Sequence, residues 1–211
     1  MSAYPLQQLE STATEYQALA FLWNSLMARV RTVHPVEVVA VHGGGLGPIG
    51  TVDVKPLVSQ VNGIGEGQPH GTIYGRPYNR WQGGSSAVIL DPDVGDIGQL
   101  QCCDRDISNV IATLSAALPG SLRRFNFADG IYVTACLSNL TPSQYVQFVP
   151  NGGGINVVSP GTVKVNGATI NSAGDLTAPE LAANNGATGS FTCENGAVTV
   201  TVQNGIITAI S

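Results

Sequence analysis

The chain has 211 residues, among them 26 glycines and 12 prolines, and only 11% of its residues are charged. Its formal net charge is −5, which argues against stable nucleic-acid binding, because affinity for the phosphate backbone comes mostly from lysine and arginine. The hydrophobic content of 43% is too high for a disordered chain. These values favour a globular protein that is rich in short strands and turns.

Targeting segments and cysteine patterns give mainly negative expectations. The longest uncharged apolar stretch, residues 17–28, is shorter than the roughly 20 residues of a membrane-spanning helix. The amino terminus lacks the basic start of a secretory signal, so we expect synthesis in the cytoplasm without export. The four cysteines include the adjacent pair Cys102 and Cys103 but no Cys-x-x-Cys spacing, so we expect neither a disulfide framework nor a zinc site. We expect no cofactor.

The first segment, residues 1–33, is predicted to form a helix over residues 5–30. Its apolar residues recur at alternating steps of three and four, which places them on one helical face. This stripe includes Leu9, Tyr16, Trp23 and Met27. We interpret it as a surface that docks on a partner protein or forms a short coiled coil; the alternative is a helix packed on its own domain.

The second segment, residues 34–140, changes to short strand-like runs separated by Gly, Pro and Asp turns. The predicted runs cover residues 36–41, 51–61, 71–74, 87–90, 99–103 and 131–137. One further helix is predicted over residues 107–117. The spacing favours a small closed β-barrel of about five strands over βαβ units.

The third segment, residues 141–211, is poor in the side chains that build a core. From Pro150 onward it has four charged residues and a single aromatic one, Phe191. Strict alternation of Val with polar residues occurs at 162–165 and 198–202, and Asn-Gly steps at Asn166 and Asn204 follow. Alternation followed by Asn-Gly is a strong hairpin signal.

Such a segment cannot bury enough of its own surface to be stable alone. Strands with one apolar face and exposed edges need another domain or identical copies to cover them. We therefore predict an intertwined β-helix or β-prism in which several chains, three being favoured, share one apolar interior; the alternative is an ordinary second β-domain packed on the first. The predicted trimer core is Val163, Val165, Ile170, Val198, Val200 and Val202.

Several short motifs match known sites only in part. The His42-Gly43-Gly44-Gly45 run and the segment around Ser85 suggest a hydrolase, but all three histidines precede Ser85, whereas that fold places its base after the nucleophile. The glycine pattern of residues 45–50 precedes a predicted strand, whereas dinucleotide binding needs a helix. Residues 91–96 resemble half of a calcium loop without the bidentate glutamate. All three motifs are better explained as loops.

Paired carboxylates are the remaining catalytic candidates. Asp104, Asp106 and Asp129 are the nearest to the arrangement that glycoside cleavage needs. Their neighbours Arg105 and Arg123 favour ordinary ion pairs instead. We therefore predict that the protein is not an enzyme.

Six stretches of the middle segment occur in the order found in a known family. They are GTVDVKPLV at 50–58, GTIYGRPYNRWQGG at 71–84, DPDVGDIG at 91–98, CDRDIS at 103–108, and PGS at 119–121 with FADG at 127–130. On these stretches, residues 28–138 resemble the amino-terminal domain of the central spike proteins of contractile-tailed phages.

The resemblance implies a homotrimer whose OB-fold barrel joins the baseplate hub and tail tube proteins and continues as a β-helical needle. Its implied place is the tail baseplate of a virion assembled in the host cytoplasm. Its implied task is to pierce the host outer membrane, with only transient membrane contact. Residues 71–211 contain no histidine, so we expect no iron-tipped apex, and the tip is a separate protein or the end of this chain. The alternative function is a baseplate-associated cell-envelope hydrolase or carbohydrate-binding module that uses the barrel loops.

Overall fold

The computed structural model describes residues 14–62, 65–138, 140–179, 186, 188–192, 198–203 and 206–210. The chain is mainly β, with a curled sheet and one helix near its amino terminus. It divides into two compact units, Met1–Asn139 and Leu140–Ser211. Within the described ranges, no helix combines the length and the apolar character needed to cross a bilayer.

The amino-terminal helix, α1, spans Glu15–Met27. Thr14 caps its start, because the Thr14 side chain accepts a hydrogen bond of 3.2 Å from the Gln17 N–H. Because α1 ends at Met27, the predicted helix over 5–30 is too long at its carboxyl end. The first nine residues of the predicted helix lie outside the described ranges. After α1 the chain turns, and the Arg31 N–H donates to the Phe125 carbonyl, a contact that local periodicity does not encode.

The described residues of the first unit form nine strands. They are β1 (Val33–His42), β2 (Thr51–Pro56), β3 (Gln60–Val61), β4 (Gly67–Gln68), β5 (Ile73–Pro77), β6 (Trp81–Gly83), β7 (Ser86–Val88), β8 (Ile97–Cys102) and β9 (Gly130–Leu137). Five of them form one antiparallel sheet in the order β5-β2-β1-β8-β9. Register shifts occur in three of its four strand pairs, and such bulges increase twist and bending.

The two edges of this sheet approach each other. Tyr78, directly after β5, forms an isolated parallel bridge with Tyr132 of β9, and the Asn79 N–H donates to the Tyr132 carbonyl at 2.8 Å. Alternate residues of the strands point into the curl and build the core. The core side chains are Val36, Val38, Val52, Val54, Tyr78, Leu100 and Tyr132.

Two of the predicted strand runs differ from the structure. The 51–61 run ends its part in the large sheet at Pro56, and β3 pairs with β4 in a separate two-stranded sheet. The 87–90 run lies partly in β7, which pairs with β6 in a separate hairpin. Both runs carry strand-type residues, but pattern alone does not say which strand will pair with which.

The second helix, α2, spans Ser108–Thr113 and is shorter than the predicted 107–117. It ends where Leu114 adopts a left-handed conformation with φ of 51°, and the Leu114 N–H donates to the Val110 carbonyl. The Asn109 side chain then donates to the Leu118 carbonyl at 3.1 Å. The chain therefore folds back before the helix can continue.

The described part of the second unit forms three small antiparallel sheets. Their strands are β10 (Tyr145–Val149), β11 (Gly154–Val158), β12 (Val163–Val165), β13 (Ala168–Ile170), β14 (Leu176–Thr177), β15 (Gly189–Thr192), β16 (Thr199–Gln203) and β17 (Ile206–Ile210). They pair as β10-β11, β12-β13-β14 and β15-β16-β17. The prediction of strands joined by tight turns is confirmed for the described part of this unit.

The Asn-Gly turns explain two of these connections. Asn166 and Gly167 join β12 to β13, and Asn166 has a φ of 50°, which asparagine tolerates better than most residues. Asn151 has a φ of 58° in the 3₁₀ turn Pro150–Gly152 between β10 and β11. The predicted turn at Asn204 lies outside the described residues, although Gln203 and Ile206 on either side are paired.

Candidate functional site

The β12-β13-β14 sheet has one apolar and one polar face. Residues directly opposite each other in an antiparallel pair share a face. Val163 lies opposite Ile170, Ile170 lies opposite Leu176, and Val165 lies opposite Ala168. The other face carries Lys164, Thr169 and Thr177. Three of the predicted trimer-core residues, Val163, Val165 and Ile170, therefore lie together.

The β15-β16-β17 sheet repeats this arrangement. Val200 lies opposite Phe191 on one side and Ile210 on the other, and Val202 lies opposite Ile207. Val198 immediately precedes β16. The structure thus brings Val200 and Val202 to one face of a second sheet, whereas Val198 lies outside the paired strands and stays a prediction.

The β10-β11 hairpin has an apolar face that the sequence interpretation missed. Val146 lies opposite Val157, and Phe148 lies opposite Ile155. The signal was present in the alternation of apolar residues at 146 and 148 and at 155 and 157. It was overlooked because the other face also carries apolar side chains, Tyr145 and Val149, which weakens the alternation.

These faces are almost entirely uncovered. Val200, at 8% exposed, is the only buried side chain among the described residues of the second unit, whereas Phe148 is 74% exposed. We call the set of exposed side chains on the three sheets the open apolar faces. Its members are Val146, Phe148, Ile155, Val157, Val165, Ile170, Leu176, Phe191, Ile207 and Ile210.

Helix α1 is also uncovered. None of its side chains is buried, and Trp23 is 66% exposed. Tyr16, Trp23 and Met27 lie on the predicted stripe and are all exposed, whereas Leu9 lies outside the described residues. Leu19, Leu22 and Leu26, also exposed, widen the apolar surface. In the described chain, α1 does not show the burial expected of a helix packed on its own domain.

The candidate catalytic carboxylates are occupied by ion pairs. Arg123 donates to both oxygens of Asp129, at 2.9 and 3.0 Å, and its Nη2 lies 2.9 Å from Asp106 Oδ2. Ser121 donates to Asp106 at 2.6 Å, and the Ser108 N–H donates at 3.0 Å. The prediction of ordinary ion pairs is confirmed for these residues. We call this group the Arg123 clasp.

The electrostatics of the Arg123 clasp favour the charged forms of Asp106 and Arg123. Hydrogen bonds from Ser121 and Ser108 hold the pKa of Asp106 far below its usual range. The paired Asp129 raises the pKa of Arg123. An acid that must donate a proton needs a raised pKa, so Asp106 is unsuited to that role. Asp104 is exposed and lies 3.7 Å from Arg105.

The glycine-rich motifs form a structural loop. Asp91 accepts hydrogen bonds from the Tyr78 hydroxyl, at 2.6 Å, and from the Gly45 N–H. Gly44 has a φ of 117°, and a Cβ there would approach the Tyr78 hydroxyl to 2.6 Å. The hydrogen bond from Tyr78 lowers the pKa of Asp91, while burial raises the pKa of Tyr78. The Asp91 carboxylate therefore stabilises the loop at residues 43–50.

The histidines do not converge on a metal site. His42 pairs with Asp53 at 3.0 Å, whereas His34 and His70 pack edge to face with each other and with Phe127. Burial and nearby Arg31 lower the pKa values of His34 and His70. Among the described residues, no three His, Cys, Asp or Glu side chains cluster as metal ligands would.

The adjacent cysteines are also unreactive in character. Burial raises the pKa of Cys102 to about 11 and also raises that of Cys103. Only a thiolate is a good nucleophile or metal ligand, so a raised pKa argues against either role at neutral pH.

A comparison with models of known protein families gave no match, and a comparison with curated proteins gave none either.

Proposed function

We propose that this protein is the trimeric central spike of a contractile phage-type tail, which pierces the host outer membrane. The observation that carries the proposal is the set of open apolar faces in the second unit. Burying each exposed Val, Ile, Leu or Phe side chain stabilises an assembly by about 1.5–3 kcal/mol. Three sheets with apolar faces on one chain are the arrangement that intertwined copies of a β-helix or β-prism would bury.

The first unit supports an OB-fold-like barrel as the head of this spike. When the five strands of its main sheet are numbered along the chain, they lie side by side in the order third, second, first, fourth, fifth. The parallel bridge between Tyr78 and Tyr132 connects the third to the fifth. That order with partial closure is the one expected for a five-stranded Greek-key barrel.

Helix α1 supports a connection to a baseplate hub. A helix that is apolar around most of its surface is normally buried, and α1 has only one charged residue, Glu15. In the proposed assembly, the surface of Tyr16, Trp23 and Met27 is covered by hub or tail tube proteins. Contraction of a sheath then drives the trimer mechanically, and its rigidity matters more than any affinity for lipid.

The direct test is the mass of the intact assembly in solution. Native mass spectrometry is expected to give about three times the 21.8 kDa chain mass. Negative-stain electron microscopy of the same sample is expected to show a globular head with a short rod. A monomer at micromolar concentration would overturn the proposal.

The alternative of a cell-envelope hydrolase is tested with peptidoglycan and lipopolysaccharide. The two buried carboxylates of the Arg123 clasp are already fully used in ion pairs, so we expect no release of fragments. If fragments are released and Asp106→Asn or Asp129→Asn abolishes that release, the hydrolase replaces the spike as the function of this protein.

A further inference from the structure

The segment between β2 and β5 is attached to the rest of the first unit by few contacts. Its described residues, 57–62 and 65–72, leave the main sheet after β2 and return to it at β5. We call them the β3-β4 flap, because β3 and β4 pair with each other and not with the main sheet. None of the described flap residues is buried, although His70 is partly covered. A segment with so little buried surface opens more readily than the core of its domain.

His70 holds the flap against the curled sheet through a cluster of three rings. The His70 ring centroid lies 5.3 Å from that of Phe127 and 6.0 Å from that of His34, and the other two centroids lie 5.2 Å apart. Phe127 in turn packs against the buried core. Within the flap, Gln60 Nε2 lies 3.3 Å from His70 Nδ1. This arrangement needs an unprotonated Nδ1, because the amide nitrogen is itself a donor.

The surroundings of the ring cluster disfavour positive charge on the histidines. The guanidinium carbon of Arg31 lies 5.2 Å from the Phe127 ring centroid. Burial lowers the pKa of both clustered histidines, and the charge of Arg31 lowers it further. For His34, backbone hydrogen bonds with Val33 and Val58 act in the opposite direction without reversing the shift. The closed flap therefore favours neutral rings.

The carboxylates on the neighbouring elements have other partners. Glu66, in the flap, accepts a hydrogen bond of 3.1 Å from the Asn62 side chain. Asp129, in the 3₁₀ turn of residues 127–129, is bound by Arg123. In the described chain, the charges acting on the two rings do not include the titratable side chains at the near ends of β1, β2 and β8, which are Glu37, Lys55 and Cys102. No carboxylate is thus placed to stabilise a protonated cluster.

We propose that the β3-β4 flap is a pH-sensitive latch on the curled sheet, released when His34 and His70 are protonated. In the closed form the two rings are partly withdrawn from water and lie near Arg31. In the open form both rings are hydrated, and His70 moves away from Arg31 and His34. Protons therefore bind the open form more tightly and shift the population towards it. Release uncovers Phe127 and leaves the pairing of the main sheet intact. The latch lies in the first unit and does not depend on the proposed role as a spike.

The test is hydrogen exchange of the full chain, measured by mass spectrometry at about pH 7.5 and about pH 5 and corrected for the intrinsic exchange rate. Flap peptides are expected to lose about tenfold or more in protection at the lower pH, while peptides from β8 keep theirs. An NMR titration of the His70 ring is expected to follow the same pH dependence. A flap equally protected or equally open at both pH values would overturn the proposal, and so would a parallel loss in β8.

The same substitution at two histidines separates the latch from other effects of acid. His70→Phe keeps a ring beside Phe127 but removes the titrating group, so flap protection is expected to change by less than about threefold between the two pH values. His42→Phe removes the histidine that pairs with Asp53 outside the cluster, and the wild-type response is expected to persist.

Protection of β8 at neutral pH verifies that each variant is folded. His70→Gln, which adds no apolar surface, is a second variant in which flap protection is expected to depend only weakly on pH. A full pH response in folded His70→Phe or His70→Gln would overturn the proposal, as would loss of the response in folded His42→Phe.

Discussion

Val163 lies directly opposite Ile170 across the β12-β13 hairpin, so their side chains share the apolar face of that sheet. Lys164, between Val163 and Val165, points to the other face beside Thr169. Adjacent residues therefore have opposite environments in any assembly that covers the apolar face. This relationship allows the proposed trimer to be tested with substitutions one residue apart.

Val165→Asp is expected to prevent trimer formation. Val165 is 62% exposed in the single chain, so a charge there would cost little if the protein were a monomer. In a trimer, three carboxylates would enter one apolar interior, and each unpaired buried ion costs several kcal/mol. Native mass spectrometry and thermal unfolding measure the effect.

Lys164→Asp provides the matched control on the polar face. It introduces the same side chain one position away, and we expect the trimer to persist with nearly unchanged stability. Equal loss of the trimer in both variants would show that the assignment of the two faces is incorrect. Equal tolerance would show that the apolar face is not an interface.

Trp23→Ala is expected to leave the unfolding midpoint of the first unit nearly unchanged, because α1 has no buried side chain. Truncation of a buried Trp normally costs about 3–5 kcal/mol. Leu100→Ala, at a fully buried position of β8, is the positive control and is expected to cost about 2–5 kcal/mol. A large loss for Trp23→Ala in thermal unfolding would indicate that α1 packs on its own chain.

Arg123→Met is expected to lower the unfolding midpoint clearly, because it leaves Asp106 and Asp129 buried without their common partner. Arg105→Met is the control, since Arg105 pairs at 3.7 Å with the exposed Asp104. An exposed pair contributes about 0–1 kcal/mol. Similar midpoints for the two variants, measured in denaturant, would contradict a structural role for the Arg123 clasp.

Acidification is expected to destabilise the first unit through His34 and His70. Burial lowers both pKa values below the ordinary 6.5, so the unfolded chain binds more protons than the folded one. The stability contribution is complete above pH 6.5 and is lost as the pH falls from there towards the lowered values. Unfolding midpoints measured across this range should fall in the wild type.

The double variant His34→Gln and His70→Gln isolates this effect. It removes both titrating rings while keeping polar side chains, and its midpoint should change less over the same pH range. An unchanged slope would assign the acid sensitivity to other groups.

Local patterns were sufficient for the features that depend on neighbouring residues. The three-and-four spacing around Trp23 predicted a helix, and the alternation around Lys164 predicted a strand with two different faces. The Asn166-Gly167 step predicted a hairpin, and its left-handed φ explains why. The arginines near Asp106 and Asp129 predicted ion pairs, since opposite charges close in sequence readily meet.

Features that depend on distant residues were decided only by the tertiary structure. The 87–90 run became part of a separate hairpin because β6, and not a barrel strand, supplied its hydrogen-bond partner. Arg80 contacts the Gly47 carbonyl and the Asp91 carboxylate only because the fold brings these distant residues together. No sequence motif predicts these contacts. Composition determined that the second unit is poor in core-forming side chains. Strand register alone decided which of these side chains share a face, because each pairing fixes the orientation of all the residues in its strand.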